Sequence, residues 1–182
     1  LVADDAGIGQ QPRDIRLDED VRCLILTGDG RDFSSGYDIG DIPPERFCER
    51  AEALVAHPYT NAVDALAATP LATIAALGGH TIGGGLELAL ACDLRLARNG
   101  IRIGMPPAKL GLVYLHTGIA RFLHAVGETR TRELFLLGRH YDAPTAAGWG
   151  LINEVCADSA ELESESLAWA RVKRHRCQRI EE

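Results

Sequence analysis

The chain has 182 residues, enough for one domain with a sizeable core, and its hydrophobic content of 46% is ordinary for a globular protein. Lysine and arginine total 19 against 26 acidic residues, and this net charge of -7 argues against a general nucleic-acid binder, which needs clustered cations. No apolar run approaches the roughly 20 residues that span a bilayer, so we expect no membrane role.

Cysteine and histidine patterns favour neither a disulfide framework nor a metal site. The five cysteines are odd in number, widely spaced and without a C-x-x-C pair, which fits free thiols in a reducing cytosol. No two histidines have the helical spacing of metal ligands. The N-terminal stretch lacks a charged segment followed by an apolar one, so no signal peptide is expected. We therefore expect a cytoplasmic protein without a metal.

The first half of the chain predicts two strands with a helical region between them. The run "VRCLILTG" is short and nearly all apolar, as in a strand buried on both faces. The polar loop "GDGRDFSSGYDIGDIPP" follows, and a loop of this length within a compact domain is usually functional. Residues 44–70 predict one or two helices, with a break at His57-Pro58, and "PLATIAALGG" predicts a second buried strand.

Strands and helices continue to alternate in the second half. A glycine-rich turn leads into a short helix, "GLELALAC", and "DLRLA" predicts the next strand. Apolar residues recur at helical spacing from Ile119 to Val126, in a helix that Gly127 can close. This alternation predicts an α/β fold with right-handed crossovers.

Three further elements are predicted near the end of the chain. The segment "TRTRELFLLG" predicts a helix, and "DAPTAAGWG" predicts another with Asp142 as its N-cap. The segment "LINEV" predicts a final short strand.

The stretch "GGHTIGGGLELALACDLRLA" places three consecutive glycines before a single acid, Glu87. It is not a P-loop, because Gly84 and Gly85 stand where that motif has lysine and serine or threonine. The dinucleotide pattern G-x-G-x-x-G does not fit these glycines, and no serine in the chain lies in G-x-S-x-G. Nucleotide hydrolysis and α/β-hydrolase chemistry are therefore disfavoured.

Glycines in the first turn of a helix leave backbone N–H groups uncovered at the positive end of the helix dipole, where an oxyanion binds. A second donor from another loop would complete a hole for an enolate, and "FSSGYD" is the best candidate. Alternatively, the glycines from Gly83 to Gly85 only allow close packing of the helix on a strand.

Four segments in order resemble the crotonase (enoyl-CoA hydratase/isomerase) superfamily. They are "VRCLILTGDGRDFSSGYDI", "PLATIAALGGHTIGGGLELALACDLRLA", "IGMPPAKLGLVYLHTGIARFL" and "RELFLLGRHYDAPTAAGWGLINEV". The resemblance, which covers about Val21 to Val155, implies a crotonase-like α/β fold of repeated ββα units with a helical C-terminal region. It also implies acyl-CoA substrates, no separate cofactor because coenzyme A belongs to the substrate, and assembly into homotrimers or hexamers.

The same resemblance implies that two peptide N–H groups hold the thioester carbonyl. Carried over to this chain, the donors are the N–H of Tyr37 and the N–H of Gly84, and side chains hardly matter for that role. The residues that the resemblance implies for the substrate path are Ser35, Gly36, Asp38, Ile39 and Gly83.

Glu87 aligns with the first catalytic glutamate of family hydratases. The helix dipole lowers the pKa of such a carboxyl and burial raises it, and the alternative role is an acid satisfied by backbone N–H groups. Family hydratases carry a second glutamate in a P-E dipeptide, where this chain has Pro106-Pro107. Hydration is simplest with two acid-base groups, so the loss of one puts that reaction in doubt.

The segment "LGLVYLHTG" is similar to the methylmalonyl-CoA decarboxylase branch, in which a tyrosine lies beside the departing carboxylate. Tyr114 would take that position, and its alternative role is a core aromatic residue. His116 is either a further residue of the substrate pocket, with Pro107, or a polar loop residue. Decarboxylation needs an enolate hole and a dry pocket but no general base.

The two ends of the chain are short by comparison with the family. We predict a core over residues 1–155, whose opening strand and helix are missing or shortened, and an incomplete helical tail over residues 156–182. The tail carries a basic cluster that is either a solvated helix face or a contact to ligand phosphates. Its members are Arg171, Lys173, Arg174, Arg176 and Arg179.

Three functions are compatible with these residues and motifs. The first is an enzyme of the hydratase/isomerase type, acting on an acyl-CoA thioester with Glu87 as acid and base. The second is a decarboxylase of a malonyl-type CoA that uses Tyr114. The third is a catalytically silent binding protein with the same fold, because fold alone does not guarantee activity.

Overall fold

Short strands form two sheets in the structure, a computed structural model that describes residues 21–29, 31–36, 58–112 and 114–172. The strands are β1 (Cys23–Thr27), β2 (Asp32–Ser34), β3 (Ala72–Leu77), β4 (His80–Ile82), β5 (Leu94–Arg98), β6 (Arg102–Gly104), β7 (His140–Asp142) and β8 (Glu154–Cys156). Sheet A has the order β1-β3-β5-β8 and is parallel throughout. Sheet B has the order β2-β4-β6-β7 and is parallel except for the β6–β7 pair.

Helices connect and cover these strands. They are α1 (Pro58–Ala68), α2 (Gly84–Leu90), α3 (His116–Leu137), α4 (Ala143–Gly148) and α5 (Ser159–Val172), with a 3₁₀ helix at Pro107–Leu110. Across the described ranges, no helix has both the length and the apolar character that crossing a membrane requires.

From β1 to β6, consecutive strands alternate between the two sheets. The strands β1, β3 and β5 belong to sheet A, and each is followed along the chain by a strand of sheet B, namely β2, β4 or β6. Each ββ unit therefore spans both sheets, and α2 completes the second unit. This arrangement is the predicted α/β architecture of stacked ββα units.

The central strand β3 contributes side chains to two hydrophobic clusters. Ala75 and Leu77 lie in the main core together with Leu86 of α2 and other apolar residues. Ile74 and Ala76 point to the opposite face, where Leu162 of α5 covers them. Because both faces are covered, the strand is a continuous apolar run and not an alternating one.

The predicted positions of β1, β3, β5 and α2 are confirmed, but the prediction that β1 is buried on both faces is wrong. Its residues from Cys23 to Leu26 are only half-buried. The reason is its place in the sheet, since β1 is the edge strand of sheet A among the described residues.

The strand predicted in "LINEV" begins three residues later than expected, at Glu154. Leu151 and Ile152 are 0% and 2% exposed, so the apolar part of the segment is buried in the core before the strand begins. Pairing with β5 starts only after Asn153, whose N–H donates to the carbonyl of Arg95 at 2.9 Å.

Four strands were not predicted: β2, β4, β6 and β7 each have three residues. A period-two pattern of side chains cannot be recognised in so short a segment. The prediction treated His80–Ile82 as part of the glycine turn, whereas it is the strand that leads into that turn.

Two predicted helix boundaries coincide with the structure. The side chain of Asp142 accepts a hydrogen bond from the N–H of Thr145 at 2.8 Å, which confirms the predicted N-cap of α4. Helix α1 begins at Pro58, on the C-terminal side of the predicted break. The helix predicted upstream of His57 lies outside the described residues.

Gly127 interrupts α3 at the position where the sequence predicted that a helix closes. Its φ of 72° and ψ of 176° are not helical, so α3 consists of two helical halves that correspond to the two predicted helices. This region of φ and ψ is accessible almost only to glycine.

We predict that Gly127→Ala lowers the free energy of unfolding by roughly 1–3 kcal/mol, because alanine is strained in this conformation. Open space surrounds Gly127, so backbone strain is the whole of the expected effect. The matched control is Gly148→Ala in α4, which has the same open surroundings without a positive φ and should not destabilise the protein. Urea denaturation of both variants measures the difference, and equal effects would contradict the strain argument.

Candidate active site

The glycine turn and the polar loop predicted to form an anion site lie next to each other. Parallel neighbours β2 and β4 end at the same edge of sheet B, and the two glycine segments follow them directly. A Cβ atom added to Gly36 would lie 2.9 Å from the nitrogen of Gly84. The backbones of the two segments are therefore in contact at the start of α2.

The nitrogen of Gly84, in the first turn of α2, lies at this contact. Gly83 is the N-cap residue, and its own N–H donates to the carbonyl of Gly104 at 2.9 Å. The N–H groups of Leu86 and Glu87 donate to the carbonyl of Gly83. Gly84 is the first residue of the helix, a position whose N–H has no partner within a helix.

The alternative role of the glycines, close packing of helix on strand, also has a basis in the structure. A Cβ atom on Gly85 would lie 2.3 Å from the carbonyl oxygen of Ser34 in β2. Gly85 therefore serves packing, while Gly84 faces the segment of Gly36. Close packing is therefore confirmed for Gly85, while the N–H donor role of Gly84 stays a prediction.

The other residues predicted around the polar loop are only partly described. Ser35 is exposed, and the N–H of Gly36 donates to the side-chain oxygen of Ser34 at 3.2 Å. Tyr37, Asp38 and Ile39 lie outside the described residues, so the predicted N–H donor of Tyr37 stays a prediction.

Glu87 lies in the first turn of α2 and is only 6% exposed. The hydroxyl of Tyr114 donates to its Oε2, and Nη1 of Arg121 donates to its Oε1 at 3.1 Å. Burial raises the pKa of the Glu87 carboxyl above its ordinary value, although the hydrogen bond from Tyr114 and the charge of Arg121 act in the opposite direction. The expected increase from desolvation is therefore confirmed, while the lowering effects come from Tyr114 and Arg121, which the sequence argument did not include.

Tyr114 packs against the core and also reaches Glu87, whereas its predicted place beside a departing carboxylate stays a prediction. Its ring packs edge-on against Phe135, with 5.5 Å between ring centroids, and its hydroxyl reaches Glu87. A Cβ atom on Gly118 would lie 2.5 Å from the ring of Tyr114 and 2.8 Å from Oε1 of Glu87. The absence of a side chain at Gly118 therefore allows the first turn of α3 to approach both residues.

Pro107 and His116 lie at the beginnings of the 3₁₀ helix and of α3, respectively. Pro107 is buried, and its side chain has no titratable group. His116 is exposed. Within the described part of the chain, the side-chain hydrogen bonds to Glu87 come from Tyr114 and Arg121, not from His116.

Three residues around the site were not found from the sequence: Arg121, Asp64 and Tyr59. Nη2 of Arg121 donates to Oδ1 of Asp64 at 2.6 Å, while its Nη1 holds Glu87. The hydroxyl of Tyr59 donates to the carbonyl oxygen of Gly84. The one sequence signal of Arg121 is a cation between the apolar positions of "GIARFL". Asp64 and Tyr59 come close to the site only because α1 docks there.

The described residues contain no group of three or more histidine, cysteine, aspartate or glutamate side chains that could hold a metal ion. The described site brings together the carboxyl group of Glu87, the phenol of Tyr114, the guanidinium of Arg121 and backbone amides of the glycine turn.

We predict that Glu87→Gln becomes more stable relative to the unchanged protein as pH rises from about 4 to about 7. The pKa of Glu87 is raised in the folded protein above its ordinary 4.5, so the folded state binds the proton more tightly than the unfolded state. Stability is then lost as pH rises through the folded pKa, and glutamine, which does not titrate, escapes this loss.

Urea denaturation at the two pH values measures this effect. The control is Glu163→Gln on the exposed surface of α5, which removes the same charge without touching the site. If the unchanged protein instead became more stable relative to Glu87→Gln as pH rises, the result would contradict the argument.

Comparison with known proteins shows which family this chain is similar to. The family model described as enoyl-CoA hydratase/isomerase matches residues 9–176. The protein named "Probable enoyl-CoA hydratase EchA17" of Mycobacterium tuberculosis is 38% identical over 154 residues, which are 84% of this chain and 58% of that protein. The mevalonyl-coenzyme A hydratase SIDH of Beauveria bassiana is 31% identical over 158 residues, or 82% of this chain and 56% of that protein.

Solved structures agree with these relatives. An enoyl-CoA hydratase/carnithine racemase from Magnetospirillum magneticum superposes with a TM-score of 0.76 at 32% identity, covering 86% of this chain and 59% of that one. A monofunctional enoyl-CoA isomerase from M. smegmatis gives 0.71 at 32% identity, covering 90% and 68%. The chain thus spans less than two thirds of the length of the curated relatives named above. It belongs to the enoyl-CoA hydratase/isomerase family, and its fold is the predicted crotonase fold.

Proposed function

We propose that the chain is the enolate-stabilising part of an acyl-CoA enzyme in which Glu87 transfers protons. The carbonyl oxygen of the thioester would accept hydrogen bonds from the N–H groups of Gly84 and Tyr37. The observation that supports this proposal is the contact of the Gly36 backbone with the nitrogen of Gly84, beside a buried carboxyl group.

Two N–H donors suit the chemistry of a thioester. Removal of a proton from the carbon next to the carbonyl moves negative charge onto the oxygen, where fixed donors stabilise it without reorganisation. Loss of one such donor typically costs about 3 kcal/mol of transition-state stabilisation. The donors are backbone groups, so tyrosine at position 37 is compatible with the role.

Glu87 is suited to moving a proton in both directions. Its raised pKa lies closer to neutral pH than that of an exposed glutamate, so the carboxylate accepts a proton and the acid returns it. Oε1 and Oε2 are held by Arg121 and Tyr114, and these contacts oppose the increase in the pKa of Glu87 that burial causes.

Among the reactions named for the relatives, double-bond isomerisation of an enoyl-CoA is the one for which a single carboxyl group suffices. Glu87 would take the proton from C2 of a 3-enoyl-CoA and return it to C4, so that the double bond moves to C2 and no water is consumed. Hydration needs a second group to orient water. Pro107 supplies none, and Glu87 is the one buried carboxyl among the described residues.

We predict that Glu87→Gln lowers the isomerisation rate by roughly 10²- to 10⁴-fold, the usual worth of a general acid-base. Binding of a non-reactive acyl-CoA should persist because glutamine has nearly the same shape. Turnover of 3-enoyl-CoA and 2-enoyl-CoA thioesters, followed by mass spectrometry, measures the rate, with Glu163→Gln as the surface control. Unchanged turnover would refute the role of Glu87. Acyl-CoA binding without any turnover by the unchanged chain would favour a binding protein.

A second prediction tests the N–H donors. Gly36→Ala would place a methyl group 2.9 Å from the nitrogen of Gly84, where the thioester oxygen has to lie, and should lower kcat/KM by about 10²- to 10³-fold. The control is Gly100→Ala, because Gly100 also has a positive φ, 82° against 94° for Gly36, but has nothing within 4 Å. Both variants suffer backbone strain, so equal losses of kcat/KM would contradict the proposed oxygen site.

Decarboxylation of a malonyl-type CoA is the second candidate, and the position of Tyr114 favours it. The hydroxyl of Tyr114 lies in the site, where it contacts Glu87, and is not enclosed in the core. Loss of CO₂ also leaves a thioester enolate with its negative charge on the carbonyl oxygen, which the same two N–H groups would stabilise. Methylmalonyl-CoA therefore belongs in the substrate panel, and release of CO₂ with no isomerisation would establish this candidate over the first.

A further inference from the structure

Two ion pairs that share Arg121 connect the buried Glu87 with the protein surface. The Glu87 side chain is 7% exposed, that of Arg121 is 18% exposed and that of Asp64 is 53% exposed. These residues come from α2, α3 and α1, respectively. Three helices that are separate along the chain therefore meet through one guanidinium group.

The geometry of the guanidinium fixes the direction of both contacts. Nη1 donates to Oε1 of Glu87 at 3.1 Å, and Nη2 donates to Oδ1 of Asp64 at 2.6 Å. The group is planar and its donors form a rigid fork, so the bond to Asp64 determines where Nη1 lies. Because the Asp64 carboxylate is half exposed to solvent, its ion pair with Arg121 contributes modestly to folding, and its main effect is to orient the guanidinium.

We propose that Arg121, held by Asp64, is a positioning residue that keeps the Glu87 carboxylate in the orientation needed for proton transfer. This proposal rests on the proposed role of Glu87. Tyr114 holds Oε2 and Arg121 holds Oε1, so the carboxylate is fixed at both oxygens. Small displacements of a reacting group cost large factors in rate, so such fixing affects turnover more than binding.

The charged and titratable groups around Glu87 define what each substitution changes. Arg121 and Tyr114 act from the side of α3 and lower the pKa of Glu87, whereas Asp64 acts from α1 and raises it. On the side of β2, the residue against α2 is the uncharged Ser34. Two roles of Asp64 can therefore be distinguished by the pKa of Glu87. An effect through the charge of Asp64 alone and an effect through holding Arg121 predict different pKa values when Asp64 is substituted.

The first test uses Arg121→Lys, which keeps the charge but cannot form a fork to two carboxylates. We expect kcat to fall by roughly tenfold to 100-fold with little change in KM. The control is Arg132→Lys on the same helix, where the arginine is exposed and pairs with Glu128. Unchanged kcat in Arg121→Lys would overturn the positioning role, because the charge alone would then suffice.

The second test compares Asp64→Asn with Asp64→Ala in the full chain. Asparagine loses the charge but still accepts a hydrogen bond from Nη2, whereas alanine loses both. If Asp64 holds Arg121, the pKa of Glu87 is higher in Asp64→Ala than in Asp64→Asn, because the cation moves away only in the alanine variant. Equal pKa values in the two variants would overturn the proposal.

A carbon-13 NMR titration of glutamate-labelled protein measures this pKa, with the Glu87 signal identified by its loss in Glu87→Gln. The titration needs no substrate, so the two proposals can fail separately. An unchanged chain that turns over no acyl-CoA, while the titration separates the Asp64 variants, would refute the proposed function alone. Normal turnover with no separation would refute the positioning role alone.

Discussion

Burial of the Glu87 carboxyl group is the constraint on which the surroundings of the site depend. A buried carboxylate without partners would be strongly destabilising, so its oxygens must be matched by donors from other elements. Tyr114 and Arg121 supply these donors from the beginning of α3, and Gly118 provides the space that lets α3 come close. The positions of α2 and α3 are thus coupled through one acid.

The sheets place the backbone part of the same site. Because β2 and β4 are parallel neighbours, the segments that follow them leave the sheet at the same edge. Gly36 and Gly84 meet there through their backbones. Tyr59 adds a hydroxyl contact to the carbonyl of Gly84, so α1 fixes the first turn of α2 from a further direction. Backbone geometry and side-chain chemistry are therefore set by different elements.

The sequence predicted the parts of this site that leave local signals. Glycines before Glu87 indicated an exposed helix N-terminus, and a long apolar run indicated β3. Arg121 and Asp64 could not be predicted in the same way, because they are 57 residues apart and meet only when α1 docks beside α3. Strands of three residues such as β4 were missed, since they depend on pairing in sheet B and not on their own pattern.

Charge balance gives the raised pKa of Glu87 a role in the proposed reaction. Proton abstraction neutralises Glu87 and transfers its negative charge to the thioester oxygen, so the total charge of the site is unchanged. Desolvation favours the neutral acid over the carboxylate of Glu87. The N–H groups at the thioester oxygen would lower the free energy of the enolate. One glutamate with a bridging arginine is therefore consistent with a reaction in which a single charge moves between two fixed positions.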